Sequence, residues 1–348
     1  MRQFLLKAFL FLAIFKILDI GVFHLLAYLD RIGPTEDPGL RMMYAGKLRP
    51  DILIIGSSRL KMQINPEIIE RETGMSAYNL AVLGSNFEDH FLVLKEFLNR
   101  GPRPRMVLFE ADVETLAPTQ RVVFRADALQ PYMLVSNRVF NIFADTRLRR
   151  LAYRTLPSLA FRNRVFRVVA KLLHFEGPGD DITEVKGAYL REGRQPDWNT
   201  ETTWKWTIGG ISPERRRQFE ELAQWADSQD CLVVLMAPAR YKSDNQLTPG
   251  LREAAVEFYG DLALRHPRIA FLDYTKDERM DPRLDYFYDR IHMNAQGARF
   301  FSDLLAPRLA RIAGERRNTR PPDPQTAKNP RSARVISWGG QHAAMSCL

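Results

Sequence analysis

A serine pair and a distant histidine are the residues whose setting points to chemistry. Ser57 and Ser58 follow Gly56, directly after the apolar run Ile52–Ile55, which predicts a buried strand. Beyond the carboxyl end of a strand in a parallel sheet, a serine can aim its hydroxyl at a substrate. Gly-Ser-Ser also occurs in phosphate-binding loops and in plain turns, so it indicates a nucleophile only in company with a base.

The candidate base lies near the other end of the chain, in the segment YDRIHMNAQG. Asp289 precedes His292 by three residues, so its carboxylate can accept the Nδ1 proton in a turn and leave Nε2 free as a base. Asn294 is placed to cap the following helix, in which Gly297 lies. The other histidines are predicted to be structural: His24, His90, His174, His266 and His342.

The elements that must position these residues alternate between short apolar runs and helical patterns. Asn65 and Pro66 mark the start of one such helix, and Gly74 marks its end. The alternation predicts a three-layer α/β/α domain with a parallel, doubly wound sheet of five strands. The predicted strands are Ile52–Ile55, Ser76–Val82, Met106–Glu110, Leu232–Ala237 and Ile269–Leu272.

The first 33 residues predict a membrane anchor. Arg2 and Lys7 flank a mostly apolar run over 8–29, which at about 1.5 Å per residue can cross a bilayer core of about 30 Å. Lys16 and Asp19 interrupt the run and are spaced to pair with each other. The alternative is an interfacial or core helix.

No small-residue cleavage site follows this run, which favours an uncleaved signal anchor over a removed signal peptide. With the basic flank inside, the rest of the chain is expected on the periplasmic or extracellular side of the cytoplasmic membrane. The two cysteines, Cys231 and Cys347, predict no disulfide framework there.

Composition divides the remainder into an α/β domain over 34–314, with a helical insertion at about 113–211, and a disordered basic tail over 315–348. Between Arg121 and Lys171 the chain has eleven Arg or Lys interleaved with Phe, Leu and Tyr. These predict basic amphipathic helices that rest on anionic lipid or a membrane partner, or that form an ordinary solvated face. The net charge of +9 comes partly from the tail, and no nucleic-acid partner is expected.

Taken together, these residues make the sequence resemble the SGNH, or GDSL-like, hydrolase superfamily. The "GSS" stands where Gly-Asp-Ser usually does, which implies Ser58 as the nucleophile, and the family's Asp-x-x-His falls on Asp289 and His292. Gly84 of NLAVLGSN corresponds to the second block, whose N–H joins that of Ser58 in an oxyanion hole. The resemblance covers roughly 50–115 and 212–312 and implies a flavodoxin-like sheet.

One block departs from the family pattern. Where the family offers an asparagine after its third strand, this chain reads VLFEADVET, with Asp112 nearest. An ionised carboxylate cannot donate to an oxyanion, and losing one donor costs about 2.7–4 kcal/mol. Asn86, close to Gly84 in sequence, is the predicted substitute.

With its predicted anchor, the chain resembles a narrower group: SGNH-like proteins that act with membrane-bound O-acyltransferases on teichoic acids or exopolysaccharides. This resemblance implies a serine O-acyltransferase or esterase for acyl groups, acetyl foremost, of a surface or exported polysaccharide. No metal or organic cofactor is required. The expected partners are the glycan, the membrane and a membrane-bound O-acyltransferase, and Arg59, Arg240 and Arg290 are candidates to contact an anionic polymer.

Two other functions remain open at this point. A lipase or esterase for small or lipid esters would use the same residues and differ only in its substrate. A non-catalytic glycan-binding or scaffold protein would keep the fold without turnover, and the missing third-block asparagine motivates it.

Overall fold

A computed structural model describes residues 1–32, 37–118, 126–162, 165, 182–194, 210–241, 250–280 and 284–318. The main sheet has five parallel strands in the order β2-β1-β3-β6-β7, which confirms the predicted sheet. The strands are β1 (Ile52–Ile55), β2 (Ala77–Asn79), β3 (Met106–Glu110), β6 (Leu232–Ala237) and β7 (Ile269–Asp273).

Helices cover both faces of this sheet. Alternate residues of β1 face opposite ways, as the two-residue period of a strand requires. Leu53 and Ile55 belong to the core on one face of the sheet, whereas Ile52 and Ile54 belong to the core on the other face. The predicted α/β/α layering is therefore confirmed. The helices are α1 (Arg2–Ile32), α2 (Pro38–Tyr44), α3 (Ser58–Gln63), α4 (Pro66–Thr73), α5 (Phe87–Arg100), α6 (Val113–Leu116), α7 (Ala126–Leu129), α8 (Asn137–Phe143), α9 (Arg147–Thr155), α10 (Pro213–Gln229), α11 (Leu251–Arg265) and α12 (Ala295–Asn318).

Strand β2 is shorter than the predicted run over 76–82. Its last predicted residues leave the ladder but stay hydrogen-bonded to the end of β1: Leu80 N donates to Ile54 O at 2.8 Å, and Val82 N donates to Gly56 O at 2.9 Å. The segment after β2 is thereby held beside the turn that contains the serine pair. The signals for α4 were correct, since the Asn65 side chain caps its start and Gly74 ends it at φ +65°.

The predicted helical insertion also contains an antiparallel hairpin, which the sequence analysis did not predict. Its strands are β4 (Ile182–Val185) and β5 (Ala188–Arg191), joined by Lys186 and Gly187 at φ 47° and 84°. Lys186 O accepts from Asn79 N at 2.9 Å, so the turn lies against the edge of β2. Other parts of the insertion, 119–125, 163–164, 166–181 and 195–209, and the tail from 319 lie outside the described residues.

Helix α1 is long and apolar enough to cross a membrane, with a mean hydropathy of 2.1 over its most apolar window, although a signal sequence shares these features. The expected pairing of Lys16 with Asp19 is replaced by contacts with the insertion. Lys16 Nζ donates to Arg154 O at 2.7 Å and to Thr155 O, and Asp19 accepts from the Ser158 hydroxyl. The predicted pair was wrong because each side chain finds a partner on a separate element.

Candidate active site

The structure brings together the three residues that the sequence assigned to catalysis. Ser58 is the first residue of α3, just beyond β1, and its Oγ lies 2.7 Å from His292 Nε2. On the other side of the ring, Nδ1 lies 2.7 Å from Asp289 Oδ2. With a carboxylate on Nδ1 and a hydroxyl on Nε2, the imidazole can accept the Ser58 proton and bear the resulting charge.

The Asp289 carboxylate is fixed by the backbone of its own turn. Its Oδ1 accepts from Ile291 N at 3.0 Å and from His292 N at 2.9 Å. Burial alone would raise the pKa of Asp289, but the hydrogen bond and charge of His292 and these two N–H groups outweigh it, so the pKa is lowered. Asp289 is therefore ionised at neutral pH and holds the ring in one orientation.

Asn294 and Gly297 anchor this turn to α12. Asn294 Oδ1 accepts from Gly297 N at 2.9 Å, as the sequence predicted for a cap, while Nδ2 donates to Asp285 O at 2.7 Å and to Gly193 O at 3.1 Å. A Cβ on Gly297 would lie 2.0 Å from Tyr286 O. Only glycine therefore lets the chain before Asp289 pack so closely on α12.

We expect Gly297→Ala to lower the free energy of unfolding by about 1–3 kcal/mol, the usual range for overpacking, because the clash is with backbone. Gly314→Ala in the same helix is the matched control: nothing lies within 4 Å of its added Cβ, so better helix propensity should raise stability slightly. Urea denaturation of both variants in detergent provides the measurement. Equal effects at the two positions would contradict the packing argument.

The serine turn rests on Glu110, which the sequence analysis did not single out. Glu110 ends β3 in full burial; its Oε2 accepts from Ser57 N at 2.6 Å and its Oε1 from Ser57 Oγ at 3.0 Å. A Cβ on Gly56 would meet Glu110 Oε2 at 2.5 Å, so glycine is required for this approach. The sequence feature that could have identified Glu110 is the run VLFE, where a carboxylate ends an otherwise apolar strand.

Glu110 belongs to a buried ion cluster, which also contains Arg59, Asp112, Glu114 and Arg240. Arg59 contacts Glu110 and lies 2.5 Å from Asp112, which lies 2.8 Å from Arg240. Glu114, the most exposed member, lies 3.3 Å from Arg59 and 3.0 Å from Arg240. Burial alone would raise the pKa of Asp112, but the two guanidinium groups hold it well below its usual range.

Of the three arginines predicted to contact an anionic polymer, two belong to this cluster. Arg59 and Arg240 are only 6% and 8% exposed and face carboxylates of the cluster, so contact with a polymer does not follow from their surroundings. Arg290 is half-buried within the Asp289 turn, where its carbonyl accepts from Tyr241 N at 3.4 Å. Asp112 caps α6 and holds two arginines, which leaves it no part as an oxyanion donor.

Gly84 and Ser58 lie on two linked turns. Val82 N and the Ser85 hydroxyl both bond Gly56 O, at 2.9 and 3.2 Å, and Gly84 lies between them, exposed and at φ +64°. Ser58 begins α3, so its N–H has no acceptor within the helix. These two N–H groups are the sequence-predicted oxyanion donors.

Asn86 caps the helix that follows it. Its Oδ1 accepts from Asp89 N at 3.1 Å, and Asp89 Oδ2 accepts from Asn86 N at 2.9 Å, which forms a capping box at the start of α5. Among the described residues, no contact links its side chain to Ser58. Capping explains this asparagine without a catalytic role.

His90, which the sequence analysis took as structural, supports the Gly84 turn. Its Nε2 lies 2.9 Å from Ser85 Oγ, whose one proton is shared between two carbonyls, Val82 O at 2.7 Å and Gly56 O at 3.2 Å. Nε2 therefore carries a proton and donates it to Ser85. Burial lowers the pKa of His90 to about 4, with the Arg59 charge adding to the effect and Glu110 and Asp112 opposing it.

This shift predicts a pH dependence of stability. Between about pH 6.5 and about pH 4, His90 is protonated in the unfolded chain but neutral in the folded one. The free energy of unfolding should therefore fall by about 3 kcal/mol as the pH is lowered through this window. Above it, both states are neutral and the contribution is fully present. His90→Gln keeps a donor and should flatten this part of the profile; an unchanged slope in urea melts would contradict the assignment.

Comparison with known proteins found similar solved structures at low sequence identity. No family model and no curated protein matches the sequence. One similar solved structure is named for a lipolytic protein of the G-D-S-L family from Desulfitobacterium hafniense, at 10% identity and a TM-score of 0.37, covering 75% of this chain and 98% of that chain.

A second is named for a platelet activating factor from Streptococcus pneumonia, at 12% identity and a TM-score of 0.35, covering 87% of this chain and 98% of that one. A third, named as an acylhydrolase from Bacteroides fragilis, has 10% identity and a TM-score of 0.35, covering 82% and 95%.

Proposed function

We propose that the chain is a membrane-anchored serine esterase or O-acyltransferase that acts on acyl groups, acetyl foremost, of a surface or exported polysaccharide. The observation that carries the proposal is the hydrogen-bonded series Ser58–His292–Asp289, with 2.7 Å at each step. A serine paired in this way with an oriented imidazole is an activated nucleophile for acyl transfer.

The reaction follows from this geometry. As Ser58 Oγ attacks the ester carbonyl carbon, His292 Nε2 takes its proton, and the N–H groups of Ser58 and Gly84 receive the oxyanion. Collapse breaks the ester bond, and His292 returns the proton to the departing alcohol. Water or a sugar hydroxyl then attacks the acyl-enzyme with His292 as base, which gives hydrolysis or transfer.

The membrane setting and the glycan substrate have separate support. Helix α1 supplies an apolar segment of membrane-spanning length, and a basic flank at its start favours a periplasmic or extracellular catalytic domain. The glycan and a membrane-bound O-acyltransferase partner come from the sequence resemblance to anchored O-acylation proteins.

A specific observation favours a second candidate, a non-catalytic scaffold of a polysaccharide acylation machinery. Where SGNH hydrolases have a donor asparagine, Asp112 is bound to two arginines and to the Thr115 N–H at 3.0 Å. Among the described residues, the predicted donors that remain are the N–H groups of Ser58 and Gly84, and a weaker oxyanion hole slows acyl transfer.

A fluorophosphonate probe tests the two candidates on the full chain in detergent. The enzyme proposal expects covalent labelling that disappears in Ser58→Ala and His292→Ala. Ser57→Ala is the matched control: its hydroxyl faces Glu110, so labelling should survive, though more slowly. Folded wild-type chain that stays unlabelled, even with the membrane-bound partner supplied, would leave the scaffold as the better account.

The acceptor is tested with a labelled acetyl ester and a polysaccharide together. Label recovered on the glycan supports the transferase, whereas label recovered only as free acetate supports an esterase. If the chain reacts with the probe but neither product forms, the result would point to a lipid ester as substrate.

A further inference from the structure

Lys61 is a fully buried ammonium group that no step of the reaction uses. It follows Ser58 by three residues in α3, which places the two on one side of that helix, and it is 0% exposed. A charge is costly to bury unless it is paired and its donors are hydrogen-bonded. The partners of Lys61 therefore account for its position.

The three N–H donors of an ammonium group face partners on three different elements. Lys61 Nζ donates to Asp37 Oδ2 at 2.6 Å and to Ala81 O at 2.8 Å, and it lies 4.6 Å from the ring centroid of Tyr189 on β5. Asp37, which caps α2, supplies the opposite charge, and the aromatic face attracts the cation on another side. These contacts hold Nζ in one place.

The peptide unit that joins Ala81 to Val82 is bound at both ends beside the serine turn. Its carbonyl, Ala81 O, accepts from Lys61 Nζ, and its N–H donates to Gly56 O at 2.9 Å. Gly56 comes two residues before Ser58 in the chain, and Lys61 comes three residues after it. The segment that contains the serine therefore holds this peptide unit from two sides.

A second side chain binds the same segment to α3. Asn79, also 0% exposed, accepts at Oδ1 from Ala81 N at 3.2 Å. Its Nδ2 donates to Leu60 O at 2.9 Å and to Ile64 O at 3.3 Å, carbonyls at the C-terminal end of α3. The chain is thus attached to α3 through both the N–H and the carbonyl of Ala81, three residues before Gly84.

We propose that Lys61 is a positioning residue for the oxyanion hole, which fixes the N–H of Gly84 relative to that of Ser58. The inference rests on the proposed function, in which these two groups receive the oxyanion. Ser58 N belongs to α3, Gly84 N belongs to the segment after β2, and Lys61 joins the two. Because Asp112 is held by two arginines, catalysis depends on these backbone donors, and a misplacement of about 1 Å can cost up to about 100-fold in rate.

Lys61→Met tests the inference, because methionine keeps an apolar stem and removes the three donors. Reaction of the full chain in detergent with the fluorophosphonate probe, taken to completion, counts the reactive Ser58 groups. We expect kcat for p-nitrophenyl acetate, expressed per labelled site, to fall by about 10- to 100-fold. Because oxyanion contacts form in the transition state, kcat/KM should fall equally and KM should stay unchanged.

A trifluoromethyl ketone gives a second readout that lost stability alone would not change. Its adduct with Ser58 carries an oxyanion, so its inhibition constant for Lys61→Met should rise by the same factor as kcat falls. If Lys61→Met does not fold, Asn79→Ala decides the question, since it removes the other attachment of Ala81 to α3 and should give the same pattern.

Two controls separate positioning from stability. Lys186→Met also removes a lysine that contacts a carboxylate, Glu70, but Lys186 is exposed, so its kcat per site should match wild type. Asp37→Asn keeps a cap for α2 and removes only the charge opposite Lys61. It should lower the free energy of unfolding but leave the Lys61–Ala81 contact and kcat per site close to wild type.

The outcomes distinguish this inference from the proposed function. Wild-type kcat and inhibition constant per labelled site in Lys61→Met, or in Asn79→Ala where that variant decides, would overturn the inference and leave the serine enzyme intact. An equal loss of kcat in Asp37→Asn would also overturn it, because lost stability would then explain the effect. A wild-type chain that the probe does not label would remove the proposed function and the inference with it.

Discussion

His292→Ala lowers kcat for hydrolysis of a small acyl ester by about four to six orders of magnitude, the range expected when a triad loses its base. Without the imidazole 2.7 Å from its Oγ, Ser58 has nothing to take its proton as it attacks. Asp289→Asn keeps the shape of the turn but removes the charge opposite Nδ1, and kcat should fall by about 10⁴. Stopped assays on p-nitrophenyl acetate, with the full chain in detergent, measure both.

Asp285→Asn provides the control for these changes. Asp285 is an exposed carboxylate four residues before Asp289, and its backbone carbonyl, which the substitution preserves, accepts from Asn294. Its kcat should match wild type. If His292→Ala and Asp285→Asn were equally active, the Ser58–His292 contact would have no role in catalysis.

Arg59→Met lowers the free energy of unfolding by about 3–5 kcal/mol, because it leaves Glu110 and Asp112 buried without their shared counter-charge. The same change loosens the turn that positions Ser58, so probe labelling should slow as well. Urea denaturation, followed by tryptophan fluorescence in detergent, measures the loss.

Arg71→Met is the matched control, since Arg71 also contacts two carboxylates, Glu72 and Asp303, but is exposed. Its unfolding midpoint should stay close to wild type, as exposed ion pairs contribute little. Arg59→Met could instead leave stability unchanged and raise KM only for anionic substrates. That result would support the substrate contact predicted from the sequence.

The sequence predicted what depends on local spacing and on the order of elements. The Asp289–His292 contact follows from three intervening steps in a turn, and the five strands follow from apolar runs. Bringing Ser58 to His292, 234 residues away, required the parallel sheet, whose strand ends meet at one edge. The predicted pairing of Ser58 with His292 rested on the family resemblance, because the spacing of residues along the chain does not show which distant residues meet.

What the sequence did not predict depends on partners from distant elements. Arg59 was predicted to contact a polymer, but β3 places Glu110 against it. Lys16 was predicted to pair with Asp19, but its Nζ bonds the end of α9. The β4–β5 hairpin had a local signal, the Lys186-Gly187 turn in positive φ, which the basic composition of the insertion obscured.

The contact between Lys16 and the end of α9 spans 138 residues of chain. At a synthesis rate of about 5–20 residues per second, Lys16 is made about 7 to 28 s before Arg154 and Thr155 exist. During that interval α1 lacks these acceptors, and Lys16 and Asp19, one turn apart, have only each other as neighbouring opposite charges. Newborn chains therefore exchange a local ion pair for remote hydrogen bonds, of Lys16 to two backbone carbonyls and of Asp19 to the Ser158 hydroxyl, so folding of the insertion also completes the polar contacts of α1.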